Sequence, residues 1–298
     1  MKFGKVEKPE IVDFLMPKDH PDTKKVLEKL IGQNAPSIYV GCAKWNRQDL
    51  KSFYPKGTKD ELAYYSSQFN SIELNATFYR IFPVEQYDKW YEKTPASFKF
   101  FPKIVQDVSH LFRLNDQAYP IVEAFLNAIA NLKDKLGTIF LQMHNNFGPA
   151  NWDKVVRFVA YWPKEFPLAI EFRHTDWFND DKVAQELHSL LYENNIANIL
   201  VDTAGRRDLM HMRMTNDEAF IRFVGSNHIS DYQRLDDWVM RLYDWKEMGL
   251  RNIHFFVHQN MELESPLLSA YFISKLNEKI GCNLHIPKSG DNFSPTLF

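Results

Sequence analysis

Short apolar runs recur at fairly even intervals along the chain, and each is followed by a more polar stretch with helical spacing. The runs are rich in β-branched and aromatic residues and lie at residues 37–43, 71–75, 98–103, 138–143, 168–173, 196–202, 219–224 and 252–258. Short buried strands that alternate with amphipathic helices are typical of a parallel sheet. Eight such units in about 250 residues predict an α/β fold, a single (β/α)8 barrel of the TIM type, rather than an open doubly wound sheet.

Helical patterns fill most of the connections between these runs. They lie at residues 60–69, 84–93, 124–136, 153–162, 181–194, 235–248 and 266–279. The sixth connection, residues 203–218, is short and has a poor helical pattern. We assign the barrel to residues 38–285. Residues 1–37 are predicted to form an N-terminal helical extension, with helices at 11–16 and 22–32 that pack against the barrel or cap one of its ends. Residues 286–298 are predicted to form an irregular tail rich in Pro, Ser and Gly.

Polar side chains lie at the C-terminal ends of several predicted strands. Alternate residues of a strand face opposite sides, so Glu171 and Arg173 are expected to point into the barrel, as are Glu73, Asn75 and Gln142. Further polar residues at or near strand ends are Lys103, Asp202, Arg222 and His258. Because a barrel interior is normally filled by branched apolar side chains, these residues predict a shared polar cleft at the C-terminal mouth.

Two carboxylates in one cleft are what acid/base chemistry or glycoside hydrolysis needs. Glu73 on the second strand and Glu171 on the fifth are therefore candidate catalytic residues. His110 and His174 are further candidates for proton transfer, since each follows a strand. The alternative is structural, because buried charges also form satisfied ion pairs and a lone His is often a hydrogen-bonding residue.

Three cationic candidates, Lys103, Arg173 and Arg222, predict an anionic ligand such as a phosphate or a carboxylate. An equally open alternative is that each pairs with a nearby carboxylate. The other candidate substrate-binding residues are Asn75, Gln142, Asp202, Trp45, Tyr79 and Trp177. The three aromatic residues follow strand ends, where they could stack on a sugar or a base or simply pack in the rim.

Metal and cofactor motifs are missing from the chain. A metal site built from Glu171, Asp202 and His258 is conceivable, but no His-Glu-x-x-His or Cys-x-x-Cys spacing supports it, and we predict no metal. Gly-x-Gly-x-x-Gly and Gly-x-x-x-x-Gly-Lys are also absent, so no cofactor is predicted.

The net charge is −2, which argues against wholesale capture of nucleic acid. No apolar run reaches membrane-spanning length and the N-terminus lacks the apolar stretch of a signal peptide, so we expect a cytoplasmic protein with no membrane association. The oligomeric state is left open.

Several motifs together resemble a known family. In chain order they are GCAKWNRQDLKSFYP, FNSIELNATFYRIFP, SFKFFPK followed by Ser109-His110, IFLQM, LAIEFRHTDWF and FIRFVG. They resemble the YecE-like family, domain of unknown function 72, over residues 38–276. The resemblance implies a TIM-barrel-like fold and no settled biochemical activity. The chain departs from the family pattern after three strands, at Ala43-Lys44-Trp45, at Gln142-Met143-His144-Asn145 and at Val257-His258-Gln259-Asn260.

The leading interpretation is an enzyme, a hydrolase or an isomerase, that acts on a small anionic or polyhydroxylated substrate. Glu171 or Glu73 would serve as acid or base, and Lys103, Arg173 and Arg222 would bind the anion. The first alternative is a nucleic-acid-binding or nuclease-like barrel, which would need a continuous basic groove. The second is a non-catalytic ligand-binding barrel, which fold alone does not exclude.

Overall fold

The computed structural model describes residues 4–30 and 36–288. Its strands are β1 (Ser37–Cys42), β2 (Ser71–Leu74), β3 (Lys99–Pro102), β4 (Ile139–Gln142), β5 (Leu168–Glu171), β6 (Ala197–Asn198), β7 (Leu200–Thr203), β8 (Glu218–Gly225) and β9 (Asn252–Gln259). Its α-helices are α1 (Pro21–Leu27), α2 (Glu61–Gln68), α3 (Val84–Lys93), α4 (Tyr119–Ile129), α5 (Trp152–Tyr161), α6 (Asp176–Asn179), α7 (Asp181–Glu193), α8 (Ser230–Met248) and α9 (Ser265–Ile280). No helix in the described ranges is both long and apolar enough to cross a membrane.

The strands form an α/β fold with parallel pairing. A six-stranded sheet has the order β3-β2-β1-β9-β8-β7, and a three-stranded sheet has the order β4-β5-β6. Single parallel bridges, Phe100 with Leu136 and Lys103 with Phe140, connect the end of one sheet to the start of the other. The register places Gln142 beside Glu171, so the two polar side chains that end β4 and β5 lie at the same height.

Apolar side chains from both sheets meet on the inner face of the strands. This inner cluster consists of Phe101, Phe140, Ala169, Ala197, Ile199, Val201, Phe220 and Phe256. Two larger clusters fill the space between the strands and the helices. Polar residues lie two positions after several members of the inner cluster, so they point to the same side of their strands. The inner cluster therefore packs directly beneath these polar side chains.

The sixth predicted unit differs most from its prediction. The run at residues 196–202 forms two short strands, β6 and β7, separated at Ile199. The connection that follows contains a 3-10 segment, Ala204–Leu209, and no α-helix before β8. This agrees with the poor helical pattern of the segment.

The N-terminal segment is less helical than expected. The predicted helix at residues 11–16 is wrong: a 3-10 turn at Pro9–Ile11 is followed by non-helical backbone. The side chain of Asp13 accepts a hydrogen bond from the backbone N–H of Leu15 at 2.9 Å, a local turn that competes with helix formation. The second predicted helix is observed as α1 and a 3-10 turn at Glu28–Leu30, and the rest of it lies outside the described residues, as do residues 289–298 of the predicted tail.

Helix α1 packs where the sixth connection lacks a helix. The Thr23 hydroxyl donates to the backbone oxygen of Met212 at 2.9 Å, and the backbone N–H of Met214 donates back to the same hydroxyl at 3.0 Å. Arg213 forms an ion pair with Asp22, and Leu27 is buried in the same apolar cluster as the neighbouring methionines. The N-terminal segment thus covers a face that a crossover helix covers elsewhere in the fold.

Candidate functional site

The ends of β2, β4, β5 and β8 place inward-facing polar side chains close together. We call the following residues the mouth cluster: Glu73, Lys103, Gln142, Glu171, Arg173 and Arg222. Glu73 and Glu171 are fully buried, and Lys103, Gln142 and Arg222 are nearly so. Buried polar groups need partners, so the hydrogen bonds within the cluster decide what it can do.

Arg222 lies at the centre of the mouth cluster. Its Nε and Nη2 donate to the two oxygens of Glu73 at 2.9 and 2.8 Å, and its Nη1 donates to Glu171. Arg173 donates through Nε to the other oxygen of Glu171. The two carboxylates are therefore matched by two guanidinium groups, with one bidentate pair that fixes their geometry.

Both carboxyl groups are held in the ionised form. Burial alone would raise the pKa of Glu171, but Arg173 and Arg222 lower it to about 2. Burial acts in the same direction on Glu73, where Arg222 and His258 hold the pKa well below its ordinary value. At neutral pH neither group carries the proton that a general acid must donate. The geometry therefore disfavours an acid role for either Glu.

Gln142 connects the cationic side chains. Its Oε1 accepts hydrogen bonds from Lys103 Nζ at 2.9 Å, from Arg173 Nη2 at 2.7 Å and from Arg222 Nη1 at 3.3 Å. Lys103 Nζ also lies 4.2 Å from the centre of the Phe78 ring. Burial and then the charges of Arg222 and Arg173 lower the pKa of Lys103 to about 7. In the described part of the chain, no ion pair includes Lys103.

A cavity of about 570 Å³ opens above the mouth cluster. Its lining includes Trp45, Asn75, Phe78, Tyr79, Lys103, Arg222 and His258. Asn75 is oriented by a hydrogen bond from its Nδ2 to Glu73 at 2.7 Å. Tyr79 is mostly exposed at the rim, whereas Lys103 and Arg222 are buried in the floor. A concave site of this size suits a small molecule that contacts the polar groups at its floor.

Histidines occupy the rim on two sides. His110 lies beside the mouth: its ring centre is 5.1 Å from that of Phe78 and 5.2 Å from that of His144. Burial, followed by the charges of His144 and Lys103, lowers the pKa of His110 to about 4, so its imidazole is neutral at pH 7. His258 Nε2 lies 2.9 Å from Glu73. The sequence placed His258 at a strand end and among conceivable metal ligands, but it did not predict this contact.

Asp202 does not join the mouth cluster. Its carboxylate accepts hydrogen bonds from Arg234 Nη2 and Trp238 Nε1, both at 2.7 Å, and pairs with Arg207. Val201 belongs to the inner cluster, so the next residue along β7 points outward to α8. The expectation that Asp202 lines the cleft is wrong for this reason.

Trp177 and His174 also lie outside the cavity. Trp177 is fully buried on α6, where its Nε1 donates to the backbone oxygen of Phe147 at 2.6 Å and its ring packs 4.8 Å from Phe172. It is a core residue and has no surface with which to stack a ligand. His174 is partly exposed and bonds locally with the backbone N–H of Asp176 at 3.3 Å. Within residues 4–30 and 36–288, the cavity lining does not include it.

The suggested metal ligands Glu171, Asp202 and His258 do not converge, because Asp202 faces the helices. Within the described ranges, no group of three or more His, Cys, Asp or Glu side chains is arranged to hold a metal ion.

Comparison with known proteins identifies the family. Residues 39–289 match the family described as "Protein of unknown function DUF72". The chain belongs to the DUF72 family. Among curated relatives of this DUF72 chain, the UPF0759 protein YecE of Escherichia coli K12 is 26% identical over 253 residues, which cover 78% of this chain and 89% of the relative. The UPF0759 protein YunF of Bacillus subtilis 168 is 27% identical over 238 residues, covering 70% and 82%.

Solved DUF72 structures share the fold. A DUF72 family protein from Enterococcus faecalis V583 superposes with a TM-score of 0.66 at 19% identity, covering 83% of this chain and 96% of the other. One from Thermotoga maritima MSB8 gives a TM-score of 0.65 at 23% identity, covering 80% and 99%. At these identities the likeness concerns the fold alone.

Proposed function

We propose that this DUF72 protein is an enzyme of the isomerase or hydrolase class that acts on a small anionic or polyhydroxylated substrate. The substrate would bind at the C-terminal mouth of one closed (β/α)8 barrel. Three features support closure: the bridges between β3 and the start of β4, the succession of β6 and β7 along the chain, and an inner cluster drawn from both sheets. Active sites of such barrels lie at the C-terminal ends of the strands.

The observation that carries the proposal is the charge arrangement under the cavity. Glu73 and Glu171 are matched by Arg222 and Arg173, so Lys103 is left as a buried cation candidate without a carboxylate of its own. When protonated, it gives the floor of the cavity a surplus positive charge. A phosphate or carboxylate on the substrate would supply the missing partner.

The remaining cavity residues suit a substrate that also carries hydroxyl groups. Asn75 lines the cavity with amide hydrogen-bonding groups, and Trp45 and Tyr79 offer aromatic faces at the rim. The ionised state of Glu73 and Glu171 favours proton abstraction over proton donation. Within the proposal this favours isomerisation of a carbonyl or sugar compound over glycoside hydrolysis, which needs a protonated carboxylic acid.

Anion binding is tested by thermal unfolding of the full chain with inorganic phosphate, a phosphorylated sugar and the matching neutral sugar. A ligand at about 100 times its Kd stabilises the folded state by about 2.7 kcal/mol, which raises the melting temperature by several degrees. We expect the phosphorylated sugar to give this shift and Lys103→Met to reduce it strongly.

The control variant is Lys51→Met, which removes the same charge from an exposed position. It should respond to phosphate as the wild type does. Equal shifts in the wild type and in Lys103→Met would contradict the proposal, as would no shift with any of the anions. A shift with a single-stranded oligonucleotide but not with the small anions would favour a nucleic-acid ligand instead.

A further inference from the structure

We infer that Lys103 is a covalent nucleophile in this DUF72 protein, and that its uncharged amine forms a Schiff base with an anionic aldehyde or ketone. The inference rests on the proposed function and adds the substrate class, a carbonyl compound. It also changes the role of Lys103 from a fixed positive charge to a reactive amine.

The position of Lys103 is suited to attack. The residue follows β3 directly, and its side chain lies in the floor of the cavity beside Arg222. A substrate that enters the cavity with its carbonyl carbon toward the floor would come within reach of Nζ. Such positioning of two reactants supplies a large part of the lowering of a barrier.

The surroundings of Nζ offer few hydrogen-bond acceptors to an ammonium ion. An ammonium group has three N–H donors, whereas Lys103 finds a single oxygen acceptor among the described residues, Gln142 Oε1 at 2.9 Å. The same oxygen is already shared with Arg173 and Arg222. A neutral amine, with fewer donors and a free electron pair, matches this environment better than a cation does.

Lys135 provides the contrast within the same chain. Its accessible surface is similarly small, but its Nζ donates to the backbone oxygens of Tyr91 at 2.5 Å and Thr94 at 2.6 Å and to the Thr94 hydroxyl at 3.2 Å. These three acceptors hold an ammonium ion in place. Lys103 differs from Lys135 in two ways, because its Nζ lies deeper in the protein and has fewer acceptors.

The charged groups around Nζ act in both directions. Burial is the largest effect on the pKa of Lys103, and the guanidinium groups of Arg222 and Arg173 lower it further, whereas the carboxylates of Glu171 and Glu73 raise it. Desolvation in a buried site is a known way to produce a reactive lysine. A pKa of about 7 leaves roughly half of the Lys103 side chains uncharged at neutral pH, against fewer than about one in a thousand ordinary lysines.

The chemical step balances without an external redox partner. The Nζ electron pair forms a bond to the carbonyl carbon, and the carbonyl π electrons move to the oxygen. The oxygen then takes up two protons, one from the attacking amine and one from solvent, and leaves as water. The product is a protonated imine on Lys103. Its positive charge would make the proton on the adjacent carbon more acidic.

The test traps the imine with glyoxylate, a small anionic aldehyde, and sodium cyanoborohydride, which reduces imines to stable amines. Peptide mass mapping of the full chain then gives the labelling rate of each lysine. We expect Lys103 to be labelled more than about tenfold faster than Lys44, an exposed lysine at the rim of the same cavity, near pH 7.5. The Lys103 rate should be half-maximal near pH 7, and inorganic phosphate should slow it.

Lys135 is the internal control and should stay unlabelled. In Lys103→Arg no primary amine remains at this position, so the fast adduct should disappear. Labelling of Lys103 no faster than that of Lys44 would overturn the inference, and a retained phosphate shift in the same sample would leave the proposed function standing. Fast labelling without any phosphate effect would support the nucleophile and count against anion binding.

Discussion

Replacing Arg222 by Met tests whether the mouth cluster is the electrostatic centre of the fold. The change removes two donor contacts to Glu73, one to Glu171 and one to Gln142, and keeps a side chain of similar length. Glu171 retains Arg173, and Glu73 retains Asn75 and His258. The variant therefore has two fully buried carboxylates but a single guanidinium in contact with them, that of Arg173, which binds Glu171.

The expected cost follows from the structure. A fall of the Glu171 pKa from 4.5 to about 2 corresponds to about 3 kcal/mol of stability at neutral pH, shared between Arg173 and Arg222. Arg222 also lowers the pKa of Glu73, so its total contribution to the stability includes a part from that carboxylate. Breaking a buried pair by removing one partner costs about 3–5 kcal/mol, and we expect Arg222→Met to fall in this range.

Urea unfolding at pH 7 measures the free energy directly, with the slope checked for a constant two-state transition. The matched control is Arg157→Met, since Arg157 is 55% exposed and lies 3.7 Å from the exposed Asp116. It should lose less than about 1 kcal/mol. If Arg222→Met loses no more than this control, the carboxylates do not depend on Arg222 and the electrostatic reasoning is wrong. Arg222→Lys, which keeps the charge, should lose less than the Met variant and serves if that variant does not fold.

The pH dependence gives an independent check. The folded pKa of Glu171 is depressed, so its contribution is complete above the unfolded value of 4.5 and is lost as the pH falls toward about 2. The difference in stability between the wild type and Arg222→Met should therefore narrow below about pH 4.5. A difference that stays constant to pH 3 would show that the loss comes from packing and not from charge.

Two further substitutions separate structural from ligand-binding roles. Arg173→Lys keeps the charge but loses the forked donation to Glu171 and Gln142. We expect a melting temperature lower by several degrees and a smaller thermal shift with phosphate. An unchanged thermal shift with phosphate would show that Arg173 is purely structural. Asp202→Asn leaves the buried donors of Arg234 and Trp238 poorly matched. Urea unfolding should show that the free energy of unfolding falls by about 1–3 kcal/mol, while the thermal shift with phosphate stays the same. Loss of that thermal shift would show that Asp202 contributes to ligand binding.

Strand alternation predicted much of the mouth. Glu73, Gln142 and Glu171 end short, regular strands whose apolar neighbours point to the helices, so their inward direction follows from the period of two. Asp202 was misplaced because only its position at a strand end was considered. If Ile199 is taken as inward-facing, the alternation along the strand places Val201 inward and Asp202 outward.

Other parts of the site depend on contacts that no local pattern contains. Arg222 forms ion pairs with both carboxylates because β8 faces β2 and β5 across the inner face of the strands. These ion pairs depend on the register of the strands and on the side-chain conformations. His258 was a noticed strand-end residue, yet its partner Glu73 lies 185 positions away. Trp177 lies in a short helix after a strand, where sequence does not distinguish a rim residue from a core residue.

The docking of α1 on the sixth connection has a consequence for how the chain assembles. Thr23 bonds with Met212 and Met214 across 189 and 191 positions, and Arg241 pairs with Asp19 across 222. During synthesis α1 emerges long before these partners, which lie about 190 to 220 positions later in the chain. Contacts of such sequence separation form late, because the intervening chain must already be ordered. Until then the methionine-rich face beneath α1 is open to solvent, and the nascent protein is most prone to misassociation there.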